Sequence, residues 1–426
     1  MSLPKSFNLA ETIPSLPEGS SSTLISCRPV SGSSFLPSSI IDIDLGSRGW
    51  LDPKSLAIRY KCVVVSDVSA CSLIGVPLYT PFQNLRTVIQ GTVVDNIAQF
   101  NQVQYVLTNG SLGISEKYGL QTGYGFANTS TNGNNMEYLD GRITPLSTTD
   151  TFFMAGPLPC LLSNCEKMIP LFTCGAIRLS FTLDSLANMF FDSGTTYKQA
   201  TSITISNFEV VYNCIDLGRE DESMVKGMGP RLFHKSHTYN NSATAVASGA
   251  VGSNSYVFNQ RLSSIRSAFI LPNRTTGNKW GEIVHMTTGN GDYQLQIGSS
   301  GSFPMMPLST ILNDSGILQE TRRAFSNLYD YAGMSINSNE FSLTSNTSAS
   351  SLSPVTCGKF YVGVALEKCQ NTDHVLMSGV STYNSPINVV INIGTATSNA
   401  CNLNLLLDYD AILVIDQESH QLSVRS

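Results

Sequence analysis

The recurrence of short segments in which apolar and polar residues alternate constrains the fold of this chain more than any other feature. Residues 39–45, SIIDIDL, are typical, because Ile41, Ile43 and Leu45 fall on one face of an extended chain. A two-residue period is the pattern of a half-buried strand. Similar segments succeed one another along the chain, with Gly, Pro, Asn and Ser between them. This arrangement favours an all-β sandwich or barrel over a fold of alternating strands and helices.

Other segments repeat the strand pattern, and two have a helical pattern. Residues 84–100 read as two short strands that turn at Gln90-Gly91. The further predicted strands are residues 55–66, 176–183, 202–216, 255–273, 293–298, 359–369, 385–396 and 402–416. The predicted helices are residues 99–107 and 316–334, the second with apolar side chains at three- to four-residue spacing. Helices are therefore a minor part of the expected structure.

Two long β-patterned runs suggest that one architecture occurs twice. SITISNFEVVYNCID (202–216) and NLNLLLDYDAILVID (402–416) both end in Ile-Asp, and each closes a segment of about 200 residues. We therefore predict two tandem jelly-roll β-sandwiches, each with about eight strands in two packed sheets, and a few short helices. The predicted boundaries are an N-terminal arm at 1–34, a first jelly roll at 35–217, and a linker with the second jelly roll at 218–426.

A change in composition at residues 217–255 predicts the linker between the halves. The segment mixes a dense charge cluster, Gly-Pro breakers and small polar residues. It also contains the sequence HKSH, with His234 and His237 three residues apart. Two histidines at this spacing could in principle bind a metal, but a third ligand is missing, so a solvated loop is the favoured interpretation.

Charged residues are scarce. Asp, Glu, Lys and Arg make up 13% of the chain, against about 25% in an average globular protein. A surface of small neutral polar groups suits a subunit that packs against neighbours, and it equally suits a β-rich protein with Ser- and Asn-rich loops. The net charge is −6 and the basic residues are dispersed, which is not the pattern of a nucleic-acid-binding surface.

The cysteines do not indicate a disulfide scaffold or a zinc site. Ten cysteines in 426 residues are too few for a disulfide-dense fold. Cys62 and Cys214 lie in apolar strand segments, which predicts buried free thiols. Cys160, Cys165 and Cys174 lack a CxxC pair and a nearby His. The sequence also has no apolar run of about 18 residues and no leader pattern at its start.

The search for catalytic groups finds two pairs of acids. Asp42 and Asp44, and likewise Asp408 and Asp410, share a strand face at i, i+2. Such pairs could bind a cation or act as acid and base, although an outward polar face is the favoured interpretation. The histidines lie in no known catalytic context, and no Gly-rich segment continues as a phosphate loop. The sequence therefore predicts no catalytic, cofactor-binding or metal-binding residues, and no enzyme.

Several segments resemble double jelly-roll major capsid proteins of tailless icosahedral DNA viruses, including polinton-like and virophage-related lineages. FLPSSIIDIDLGSRGWLDPKSLAIRYKCVVV is similar to the opening of their first jelly roll, and NLRTVIQGTVVDNIAQFNQVQYVL is similar to the segment after that opening. The resemblance continues in QETRRAFSNLYDYAG, KFYVGVALEKC, MSGVSTYNSPINVVINIGTA and NLLLDYDAILVID. It is scattered over about half of the chain, and tandem jelly rolls also occur in capsid proteins of some RNA viruses.

The resemblance implies a structural protein of the virion. A homotrimer would present six sandwich lobes and form a pseudo-hexagonal capsomer of an icosahedral shell. Its partners would be neighbouring capsomers and minor capsid or penton proteins, and the polar N-terminal arm could reach an inner membrane. The helix at 316–334, with Arg322, Phe325 and Tyr329, is the candidate subunit interface. No cofactor is implied.

Two other functions remain open. A receptor- or glycan-binding β-sandwich would carry aromatic and Asn-rich loops, and residues 118–140 offer these. A carbohydrate-active enzyme would need two carboxylates about 5–10 Å apart in a cleft, which the sequence cannot place.

Overall fold

A computed structural model of the chain describes most of its β-patterned segments. The described residues are 19–66, 71–113, 116, 119, 121–125, 143–144, 149–190, 199–218, 225, 227, 229–274, 291–298, 301–309, 314–325, 361–368, 377–393, 400–417 and 421–425.

The first half of the chain contains thirteen of the described strands. They are Ser21–Cys27 (β1), Ser34–Phe35 (β2), Ile40–Asp44 (β3), Trp50–Leu51 (β4), Ala57–Val65 (β5), Cys71–Ser72 (β6), Phe82–Ile89 (β7), Thr92–Ala98 (β8), Ile143–Thr144 (β9), Thr149–Pro157 (β10), Ile169–Pro170 (β11), Ile177–Leu183 (β12) and Ser202–Asp216 (β13).

The second half continues the series with longer strands. They are Arg231–Val246 (β14), Gly252–Phe258 (β15), Ile265–Arg274 (β16), Gly291–Ile297 (β17), Gly301–Ser309 (β18), Val362–Ala365 (β19), Ile387–Ile393 (β20), Cys401–Asp416 (β21) and Gln421–Arg425 (β22). The described helices are Phe100–Ser111 (α1), Gln121–Tyr124 (α2), Leu171–Cys174 (α3), Leu186–Met189 (α4) and Asp314–Ala324 (α5), with a 3-10 turn at Pro53–Ser55.

The two halves repeat one topology. In the first half, one sheet has the order β3-β12-β7-β8, and the other has the order β1-β13-β5-β10. In the second half the orders are β15-β20-β17-β18 and β14-β21-β16-β19. Each of these strands of the first half therefore has an equivalent in the second, and all these pairs are antiparallel. Eight strands in two sheets of this order form a jelly roll, so the prediction of two tandem β-sandwiches with few helices is confirmed.

Alternation along the strands builds the core of each sandwich. β5 buries Ile58, Tyr60, Cys62 and Val64, which are every second residue. Inside the first sandwich, the ring of Phe181 lies 5.4 Å from that of Phe82. Each fully buried aliphatic or aromatic side chain contributes about 1.5–3 kcal/mol to folding. The sheets pack face to face because only one side of each strand can be removed from water in this way.

Local predictions agree with the structure where the sequence carries a turn or a strong pattern. The hairpin between β7 and β8 turns at Gln90 and Gly91, whose φ angles are +49° and +81°. A two-residue turn with both residues in the left-handed region matches the twist of the flanking strands. The predicted helix at 99–107 is α1, which extends to Ser111. Cys62 and Cys214 are buried free thiols, as predicted.

Three expected boundaries need correction. The predicted arm of residues 1–34 includes β1, which pairs with β13 along seven residues of the first sandwich. The predicted linker at 217–255 includes the whole of β14, which pairs with β21 over its full length. Both segments are polar, and they form strands because a long neighbouring strand supplies their backbone hydrogen bonds. The predicted helix at 316–334 begins two residues earlier and ends at Ala324 as α5, and residues 326–334 lie outside the described residues.

Candidate functional site at the junction of the two sandwiches

The two sandwiches meet where the edge strand β8 of the first lies against the edge strand β14 of the second. The hydroxyl group of Thr238 in β14 donates to both carboxylate oxygens of Asp95 in β8, at 3.0 and 3.1 Å. Both side chains are buried, with 1% and 5% of their surface exposed. A buried charge-assisted hydrogen bond of this kind fixes the position of one sandwich against the other.

Further hydrogen bonds extend the junction along β14. Ser236 donates to the carbonyl group of Leu161 at 2.6 Å, and Asn164 donates to the carbonyl group of His237 at 3.0 Å. These contacts come from the loop after β10. At the far end, Asn241 donates to the side chains of Gln99 and Gln102 at 2.9 and 3.0 Å, where α1 begins. Three separate parts of the first sandwich thus hold one strand of the second.

A cluster of charged side chains lies beside this junction, on strands β16 and β21 and on the segment directly after β19. The Nε atom of Arg266 lies 3.7 Å from Oε1 of Glu367 and 3.9 Å from Oδ1 of Asp410, and its Nη1 lies 4.0 Å from Oδ2 of Asp408. Ser264 donates to Oδ2 of Asp410 at 2.6 Å. One guanidinium group therefore faces three carboxylates, and the side chain of Asp410 is only 2% exposed.

Burial shifts the pKa values of these groups away from their usual ranges. Burial raises the pKa of Asp95 to about 6, and the hydrogen bond from Thr238 opposes the shift. Burial likewise raises the pKa of Asp408 to about 6, against the attraction of Arg266. On β14, burial lowers the pKa of His237 to about 3, and the nearby cations Arg266 and Lys54 lower it further. The junction therefore disfavours added charge of either sign.

These positions correct two interpretations made from the sequence. His234 and His237 belong to β14 and not to a solvated loop, and burial lowers the pKa of His234 to about 4. Asp408 and Asp410 do not form an outward polar face, because Arg266 lies against both and their side chains are only 16% and 2% exposed. In contrast, Asp44 is exposed as expected and accepts from Arg178 at 2.7 Å. Asp408 and Asp410 differ from it because their strand β21 has a neighbouring strand on each side, whereas Asp44 lies on the edge strand β3.

Two of the three residues predicted for a subunit interface lie at the end of α5. Phe325 comes directly after this helix, and its ring centroid lies 4.6 Å from that of Phe269. The same ring lies directly against Gly110 of α1, where a Cβ atom would collide with it. Arg322 is half-buried on α5, and Tyr329 lies outside the described residues. Phe325 therefore packs within the chain, between the helices of the two halves.

The sequence patterns did not point to the residues that hold the junction, Asp95 and Arg266 among them. A signal for Asp95 existed, because it shares a strand face with the buried Ile97 and is thus an acid on an apolar face. Arg266 carried no signal, since its partners come from residues about 100 and 140 positions away.

The described residues contain no group of three or more His, Cys, Asp or Glu side chains arranged to hold a metal ion. Within the same parts of the chain, no helix is both long and apolar enough to cross a membrane. A groove of about 620 Å³ opens at one end of the junction. It is lined by residues that include Thr92, Val93 and Val94 of β8 and Ser423, Val424 and Arg425 of β22.

Comparison with known proteins places the architecture. No protein-family model and no curated protein sequence matches the chain. Solved structures do match. The Faustovirus major capsid protein superposes with a TM-score of 0.61 at 9% identity, over 95% of this chain and 92% of its own. VP54 of PBCV-1 gives 0.60 at 10% identity, over 98% and 99%. The mavirus major capsid protein gives 0.57 at 9% identity, over 100% and 95%.

The chain has the double jelly-roll fold of these capsid proteins. At such low identity the likeness establishes the fold alone. It covers both sandwiches, so the arrangement of the two halves about the β8–β14 junction is included in the match. In this double jelly roll, the candidate site is a surface of contact, built from buried hydrogen bonds and charges that hold two similar lobes together.

Proposed function

We propose that this chain is a major capsid protein. Three copies form a pseudo-hexagonal capsomer, and capsomers assemble into the icosahedral shell of a virion. The observation that carries the proposal is the match of the complete double jelly roll to three viral proteins, two of them described as major capsid proteins, over at least 95% of this chain.

The physical properties of the chain support a role in assembly. Two similar lobes in one subunit give a trimer six lobes, which approximates a hexagon and can tile a closed surface. The buried junction keeps the two lobes in one orientation, as a tiling unit requires. A chain with 13% charged residues also resists close packing of neighbours less than a highly charged one would.

The subunit contacts of this proposal include the predicted interface residues. Arg322, Phe325 and Tyr329 are proposed to lie at or to support the surface between subunits. Phe325 would support it by fixing α5 against α1, since its ring lies against Gly110. Minor capsid or penton proteins and an inner membrane are proposed as further partners, with the polar residues 1–18 as the segment that reaches them.

The experiment that tests the proposal measures the assembly state of the purified full chain. We expect light scattering to give three times the 46.0 kDa mass of the chain, and negative-stain images to show particles of hexagonal outline. A monodisperse monomer at micromolar concentration, with no assembly at any salt concentration, would contradict it. Binding to a glycan array by such a monomer would favour the receptor-binding function instead, whose predicted loops at 118–140 lie largely outside the described residues.

A further inference from the structure

The junction inside the chain uses only half of the edge strands that could form it. Each jelly roll has one sheet that ends in a strand equivalent to β8 and another that ends in a strand equivalent to β14. The junction pairs β8 of the first half with β14 of the second. The equivalent of β8 is β18, at the edge of the second half, and the equivalent of β14 is β1, at the edge of the first. Among the described residues, neither of these two edges pairs with a further strand.

Burial at equivalent positions shows the effect of the junction. Ser21 pairs with Asp216 as Arg231 pairs with Asp416, so position 24 of β1 corresponds to position 234 of β14. His234 is 6% exposed under the first sandwich, whereas Leu24 is 53% exposed. The next inward position repeats the contrast. The side chain of Ser236 is 2% exposed, and its equivalent Ser26 lies at the surface.

The other available edge carries the most exposed apolar side chains of the described chain. β18 pairs with β17 in regular register except between Phe303 and Leu308. There, residues 304–307 of β18 stand opposite the single residue Gln294 of β17. The amide of Gln294 donates to the carbonyl groups of Pro304 and Met305 at 3.1 and 3.2 Å and holds this bulge. Met305 and Met306 project from it with 90% and 81% of their surface exposed. Large apolar side chains exposed together mark a contact surface.

We infer that β18 of one copy packs against β1 of the next copy, in the manner in which β8 packs against β14 within the chain. The inference rests on the proposed trimer and adds a pair of edge strands to its interface. Three such contacts between copies and three junctions within copies would alternate around a ring of six lobes. The contact is heterologous, because two different surfaces meet, and it closes only when the ring is complete.

The chemistry of the two edges suits this partner. Leu24 and Val30, at and just beyond β1, are 53% and 73% exposed. They would cover Met305 and Met306, whose flexible thioether chains adapt to irregular apolar surfaces. Residues 301–309 contain no charged side chain. The β18 side of the contact is therefore apolar, whereas on the other side the exposed Arg28, directly after β1, occupies the position equivalent to Thr238.

The test uses acidic substitutions on each edge of the full chain. We expect both the L24D variant and the M305D/M306D double variant to be monomeric by light scattering, with unchanged circular dichroism. The matched control is F153D, because Phe153 is 70% exposed on β10, the opposite edge of the sheet that contains β1. This control is expected to form the trimer of the unmodified chain.

Mixing the two variants separates a heterologous contact from a symmetric one. L24D retains an intact β18 and M305D/M306D retains an intact β1, so one of each can associate once. We expect equimolar mixing to give a heterodimer and no trimer. If the variants and the mixture are trimeric like the unmodified chain, the inferred interface is wrong and the proposed function stands. If the unmodified chain is itself a monomer under all conditions, the proposed function fails and the inferred interface fails with it.

Discussion

At the scale of single residues, Asp95 is the group whose chemistry the fold changes most clearly. Its carboxylate is buried between the two sandwiches, and burial raises its pKa to about 6, from about 3.9 in an unfolded chain. The folded state therefore binds a proton on the Asp95 carboxylate more tightly than the unfolded state does. The contribution of Asp95 to stability is fully present below about pH 4 and is lost as the pH rises through about 6.

The Asp95→Asn variant is expected to lose this pH dependence. An amide oxygen can still accept the hydrogen bond from Thr238, and it carries no charge at any pH. At pH 8 the variant should be more stable than the unmodified chain by on the order of 2 kcal/mol, and near pH 4 the two should be similar. Urea unfolding at a series of pH values measures the difference.

Asp44→Asn is the control for this measurement. Asp44 is exposed, and the hydrogen bond from Arg178 lowers its pKa, so its contribution has the opposite sign and is lost as the pH falls. A loss of stability between pH 4 and 6 that persists unchanged in Asp95→Asn would show that another group is responsible. His234 and His237 cannot produce this loss, because their lowered pKa values, about 4 and about 3, remove stability only as the pH falls. Asp408, whose pKa burial also raises to about 6, contributes a loss of the same sign that Asp95→Asn leaves in place.

At the scale of elements, strands β16 and β21 and the segment after β19 bring one cation to three acids. A bulge between Ile265 and Ser267 shifts the register of β16 against β21. Arg266 lies at this bulge and reaches both Asp408 and Asp410, which are two residues apart on the neighbouring strand. Carboxylates taken out of water in this way are costly unless a cation stays with them.

Removing the cation is expected to destabilise the second sandwich strongly. Arg266→Met leaves three carboxylates without their partner, and we expect a loss of about 3–5 kcal/mol at pH 8. The loss should decrease at pH 5, because Asp408 and Asp410, whose pKa values are raised, can then take up protons. Urea denaturation at both pH values provides the measurement.

Arg178→Met is the matched control, since Arg178 forms an exposed pair with Asp44 at 2.7 Å. An exposed ion pair is worth about 0–1 kcal/mol. If both arginine variants lose the same small amount of unfolding free energy, the buried carboxylates beside Arg266 are already protonated at pH 8.

At the scale of the whole molecule, one chain holds two copies of a single topology. Their junction is polar and buried, and it draws on β8, the loop after β10 and the start of α1. The hydrogen bonds from Thr238 and Asn241 reach two of these three parts. Contacts of this kind make the two lobes unfold as one unit. The condition is that opening the junction costs more free energy than the unfolding of one lobe alone can offset.

Weakening the junction is expected to separate the unfolding of the two lobes. The Thr238→Val/Asn241→Leu variant leaves buried polar groups on the first sandwich without their partners, at about 1–3 kcal/mol for each group. Differential scanning calorimetry should then resolve two transitions where the unmodified chain has one. Thr23→Val, an exposed position on β1, should leave the single transition unchanged. A single transition in both variants would show that the lobes are coupled through other contacts.

The sequence by itself determined the strands whose inward side chains are apolar and the turns whose residues require special backbone angles. Ile41 and Ile43 predict β3, and Gln90-Gly91 predicts the hairpin, because these signals depend on neighbours along the chain. The repeat of two jelly rolls could also be predicted from the order and position of such segments. No local signal of this kind identifies β1 or β14, whose polar residues resemble those of a loop.

Only the tertiary structure decided which polar residues leave water. The strand patterns around Asp44 and Asp410 are similar, yet one carboxylate is exposed and the other is buried. The difference arises because Asp44 lies on the edge strand β3, whereas Asp410 lies on the inner strand β21 and contacts Ser264 and Arg266. Contacts between residues more than 140 positions apart leave no pattern in either segment. Leu24 and His234 occupy equivalent positions in the two lobes, and they differ because another lobe lies above His234 alone.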